Sequence, residues 1–161
     1  MTAMPAAQAP LIDIVQNSDL WNGEPEAREI VRAAILEAQR EASSGRAEIA
    51  ILLTDDSEIR ELNRTWRKQD KATNVLSFPA PAGSAGTHLG DIVIAFETVA
   101  REAKEEGKPL GHHLAHLAVH GYLHLAGYDH DNDAAAATME RLETEILARL
   151  GIPDPYAQTD A

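Results

Sequence analysis

The 161-residue chain contains no cysteine. Disulfides, thiolate metal sites and a cysteine nucleophile are therefore excluded, and a transition metal would have only nitrogen and oxygen ligands. No stretch approaches the ~20 apolar residues of a bilayer-spanning helix, so no membrane partner is expected. Met1 to Pro10 is rich in alanine and proline and lacks the basic start and apolar run of a signal peptide. Together these absences predict a protein of the reducing cytoplasm. Positive charge is also scarce: 14 Lys and Arg against 26 Asp and Glu give a net charge of −12. That balance argues against a protein that coats nucleic acid through phosphate contacts alone.

The few cations are unevenly placed. Arg60, Arg64, Arg67, Lys68 and Lys71 lie in one short segment with only Glu61 and Asp70 among them, whereas residues 131–161 are strongly acidic. A basic segment on an acidic body can still grip a phosphate.

The most informative stretch is His120-Gly-Tyr-Leu-His124-Leu-Ala-Gly127-Tyr-Asp-His130. On a helix, His120 and His124 sit on one face a turn apart and can share an ion. Gly127 can adopt the left-handed conformation that ends a helix, turning the chain back so that His130 completes a set of three. With seven histidines in the chain, chance gives this spacing about once in a hundred such sequences. Three neutral imidazoles suit one Zn2+ ion and leave a fourth position open, the catalytic rather than the structural arrangement.

Periodicity supplies the surroundings. Strands are expected at Leu11 to Val15 (an edge), Ala47 to Leu53 (covered on both faces), Asn74 to Phe78 (ended by Pro79) and Leu89 to Phe96. Helices are expected from Glu24-Pro25 to about Ser43, and from an N-cap among Thr54, Asp55, Asp56 and Ser57 to about Lys68 with Ile59, Leu62 and Trp66 inward. Three more follow: Glu97 to Glu106, the metal helix from Pro109, and a last helix capped by Asp131 or Asn132 with Met139 in its apolar stripe. Pro79 to Thr87 reads as a loose rim. The expected fold is α+β: a single domain over residues 1–161, one mixed four-stranded sheet packed with about five helices, and the metal site at the end of a core helix. Residues 1–10 and 152–161 read as poorly ordered tails. Strand order and oligomeric state are not readable.

The His-x3-His-x2-Gly-x2-His spacing is shared with zinc proteases, whose general-base glutamate follows the first histidine. Here that position is Gly121, which supports the metal and weakens a peptidase or amidase reading. His116 through His130 instead resembles the signature of the YbeY family of bacterial ribosomal RNA maturation endoribonucleases. Glu61 to Asn63, Trp66 to Pro79 and Leu89 to Ile92 resemble its other blocks. The resemblance implies a single-strand-directed, metal-dependent endoribonuclease of small-subunit ribosomal RNA processing and ribosome quality control, with ribosomal RNA, the small subunit and assembly factors as partners. It also implies His120, His124 and His130 as zinc ligands and Arg67 as the functional arginine. Trp66 departs from the family's usual tyrosine.

Arg67 suits a bidentate phosphodiester clamp, and Lys68 and Lys71 would steer the backbone. His116, one turn before His120, would bond substrate or serve the fold. Asp129 would orient an imidazole or form a turn. No carboxylate is marked as general base, and attack by water or by the ribose 2′-hydroxyl both stay open. A non-catalytic ribosome-assembly module stapled by its metal is the remaining alternative.

Overall fold

Four strands form one mixed sheet in the order β1-β2-β4-β3. They are β1 (Ile12–Gln16), β2 (Glu48–Thr54), β3 (Val75–Pro79) and β4 (His88–Ala95). The computed structural model describes residues 12–43, 45–81 and 86–157. The expected N-terminal tail, Leu11, residues 82–85 of the rim loop and the last four residues lie outside that range. β2 runs parallel to β1 and β4, and β3 is antiparallel to β4. Pro79 belongs to β3 rather than ending it. β3 is an edge strand, where a residue without an N–H can be accommodated.

Five helices accompany the sheet: α1 (Ala27–Glu41), α2 (Asp56–Arg67), α3 (Phe96–Glu106), α4 (Leu110–Leu125) and α5 (Asp133–Arg149). Alternation along the strands separates two apolar clusters. Ile49, Ile51 and Leu53 of β2 with Ile92 and Ile94 of β4 pack with α1, α4 and α5. Leu76, Val93 and Ala95 pack with Ile59 of α2. β2 is thus covered on both faces, as its nearly continuous apolar run predicts. A 3-10 turn at Asp19–Gly23 precedes α1, which begins at Ala27 rather than at Pro25. That turn buries Trp21 completely; its indole N–H donates to the Thr54 carbonyl at 2.8 Å.

One expectation is overturned. Trp66 does not face inward: it is 67% exposed. Beyond Ile59 and Leu62 the inward position on α2 is taken by Asn63, which is buried and whose amide donates to the Lys71 carbonyl at 3.0 Å. Residues 152–157 of the expected C-terminal tail lie within the described range. Ile152 packs against the core, its N–H donating to the Leu147 carbonyl at 2.9 Å, and Tyr156 is hydrogen-bonded to α5. An apolar anchor and a phenol with a buried acceptor hold this segment down.

Candidate metal centre

α4 is the best-buried helix of the fold. Leu114, Leu117, Ala118, Leu123 and Leu125 are all buried, so the side chains on its outer face stand on a fixed support. Its end has the form the sequence predicts. Gly127 adopts φ 106°, the Tyr128 N–H donates to Leu123 at 2.9 Å, and the Gly127 N–H donates to His124 at 3.1 Å. These are the two bonds of a Schellman motif. The reversal returns His130 to the helix: its ring centroid lies 5.2 Å from that of His124 and 5.8 Å from that of His120. One nitrogen from each of His120, His124 and His130 lies within 4.8 Å of the others, so the three can hold a metal ion.

Sequence reasoning missed the carboxylate that organises this set. Glu143 on α5 is completely buried. Its Oε2 is 2.7 Å from His120 Nδ1 and its Oε1 is 2.7 Å from His116 Nε2; the Tyr156 hydroxyl also donates to Oε1. Burial alone would raise the Glu143 carboxyl, but the hydrogen bonds from His116, His120 and Tyr156 prevail and hold it at about 2. The ionised carboxylate accepts from Nδ1–H of His120, which leaves Nε2 as the free nitrogen. Burial, followed by the neighbouring His120 and His130, pushes His124 below its ordinary value of 6.5, which favours the neutral, ligating form.

The other predicted residues divide. Arg67 reaches the centre: with His120 and His124 it lines a cavity of about 280 Å³, together with Ser77 and Leu125. Its guanidinium donates to the Ser77 carbonyl and lies 5.3 Å from the centre of the Phe78 ring. Ser77 also donates from its hydroxyl to the Gly121 carbonyl at 3.2 Å, joining β3 to the metal helix.

Lys68 and Lys71 do not line this cavity; Lys71 faces a separate open groove with Arg60 and Arg64. His116 is turned to Glu143 and Tyr156 and supports the centre from behind. Asp129 forms a turn, accepting the Asp131 N–H at 3.2 Å, and Glu143 has the orienting role considered for it. Met139 is core.

Gly121 acquires a positive reason. A Cβ there would lie 3.0 and 3.1 Å from two Ile92 carbons and 3.2 Å from the Ser77 hydroxyl. The position faces the sheet, so a side chain grown from it would press on Ile92 and Ser77.

The family model for "Endoribonuclease YbeY" matches residues 14–151. An Endoribonuclease YbeY from Bradyrhizobium sp. strain BTAi1 is 54% identical over 98% of this chain and 98% of its own. Another from Rhodopseudomonas palustris strain BisB5 is 52% identical over 98% of this chain and 87% of its own. The solution structure of TM1509 from Thermotoga maritima superposes with a TM-score of 0.58, covering 91% of this chain and 99% of that one at 24% identity, a likeness of fold. From the family match and the near full-length identity, this chain belongs to the YbeY endoribonuclease family.

Proposed function

We propose that this chain is a zinc-dependent, single-strand-specific endoribonuclease of the cytoplasm. It hydrolyses phosphodiester bonds in maturation of small-subunit ribosomal RNA and in ribosome quality control. The observation that carries the reading is the placement of Arg67 in the same cavity as His120 and His124. A cation with a planar fork of donors beside a three-imidazole set suits a phosphodiester better than a peptide bond. The peptidase alternative loses ground because position 121 faces the sheet.

Zinc held by His120, His124 and His130 would supply Lewis acidity to a phosphoryl oxygen. Arg67 has five N–H donors and uses one on the Ser77 carbonyl, so others are available for the phosphate and for charge developing on it. Phe78 holds the guanidinium plane from one side. Glu143 keeps His120 in one tautomer, and His116 and Tyr156 keep Glu143 in place. Lys68 and Lys71 steer flanking backbone from outside the cavity.

The test is incubation of metal-quantified protein with a ribosomal RNA precursor containing single-stranded segments. Arg67→Ala and His120→Ala should each reduce cleavage by a factor of about 100 or more, and only the second should lower metal content. Wild-type cleavage by Arg67→Ala would remove the clamp from the mechanism, and cleavage unaffected by metal removal would remove the metal. A 2′,3′-cyclic phosphate on the product would mark attack by the ribose hydroxyl rather than by water.

A further inference from the structure

Trp66 has the largest exposure of the large hydrophobic side chains among the described residues, at 67%. The apolar cluster beneath α2 does not include it. Its stretch of the sequence is rich in cations. Arg60 pairs with Asp70 at 2.8 Å and Arg64 pairs with Glu61, whereas Arg67, Lys68 and Lys71 have no acidic partner among the described residues. In a chain of net charge −12, Trp66 is followed directly by Arg67 and Lys68, with Lys71 five positions on.

The display is held in shape. Lys68 ends α2 at φ 60°, the one positive φ outside glycine among the described residues. Asn63 fixes that turn: its carbonyl accepts from the N–H groups of Lys68 and Gln69, and its amide donates to the Lys71 carbonyl at 3.0 Å. The last turn of the helix therefore presents Trp66 to solvent while the next residue, Arg67, reaches into the metal cavity.

We propose that Trp66 is a stacking platform for an unpaired base of the RNA, a nucleotide or two from the phosphate held by Arg67, with Lys68 and Lys71 on the flanking phosphates. This rests on the endoribonuclease reading above and adds a source for its single-strand preference. An indole face stacks on any base, so it selects accessible bases rather than a sequence, and a base inside a duplex keeps its faces covered.

The test exploits the burial of Trp21, the only other tryptophan, which leaves Trp66 as the indole that RNA can reach. Single-stranded RNA should change the emission of the metal-loaded protein, and duplex RNA should not. Trp66→Ala should raise KM for single-stranded RNA by about 5- to 100-fold with kcat and metal content unchanged, and Trp66→Phe should recover much of the loss. Replacing the flanking nucleotides with abasic ones should weaken the wild type by a similar factor and leave Trp66→Ala unaffected. An unchanged KM in Trp66→Ala, on RNA that the wild type cleaves, overturns the platform alone; equal emission changes with duplex RNA do the same. A wild type that neither binds nor cleaves RNA overturns the platform together with the reading beneath it.

Discussion

Glu143 Oε2 and His120 Nδ1 lie 2.7 Å apart, joining the last helix to the metal helix inside the core. The same carboxylate holds His116 at 2.7 Å through its other oxygen. One buried acid thus fixes two imidazoles, of which only His120 belongs to the set of three.

This relationship predicts how the metal responds to position 143. Glu143→Gln keeps the shape but removes the charge that orients His120, and metal affinity should fall by about 10- to 100-fold in a competition titration with a chelator. Glu143→Ala should in addition destabilise the fold, because two ring nitrogens lose their acceptor at about 1 to 3 kcal/mol each. An unchanged affinity in Glu143→Gln would show that the bond does not tune the metal.

Position 121 gives a second prediction. If the protease pattern were merely missing its base, Gly121→Glu would restore it. Because that position abuts Ile92 and Ser77, the substitution should instead force a carboxylate against the sheet and cost several kcal/mol of stability. A thermal melt with a peptide-hydrolysis assay decides the matter. A stable, peptide-cleaving variant would contradict the geometry.

The third prediction concerns acid. In the metal-free protein the His124 imidazole titrates below the 6.5 it has when unfolded. The unfolded chain therefore takes up that proton first, and the group's contribution to stability declines as pH falls below about 6.5. Glu143 acts in the same direction lower down: its stabilisation is complete above the ordinary 4.5 and is lost as pH falls toward about 2. Urea midpoints between neutral pH and the acid limit should decline in both windows. His124→Asn should flatten the upper decline and Glu143→Gln the lower one. Curves identical to wild type in both variants would assign the acid sensitivity to other groups.

The imidazole set is legible in the sequence because local periodicity alone relates its members: a helix aligns His120 with His124, and Gly127 marks the reversal that brings back His130. Glu143 is harder to see. In Arg-Leu-Glu-Thr-Glu it resembles one of several surface acids, and only its place between buried Met139 and Ile146, at helical spacing from both, marks it as inward. The misplacement of Trp66 has the opposite cause: its spacing from Ile59 fits an inward stripe, but the apolar cluster does not extend that far and Asn63 is needed to close the turn. Strand order depends on partners distant in sequence, so no local pattern reveals it.

The bonds from α5 and Tyr156 to the centre also set an order in time. Translation makes the three imidazoles before it makes the carboxylate that orients one of them and the phenol that steadies the carboxylate. A growing chain therefore carries its ligands before it can aim them, and the centre reaches its finished geometry only when the C-terminal helix docks. Maturation of the site is thereby coupled to completion of the fold.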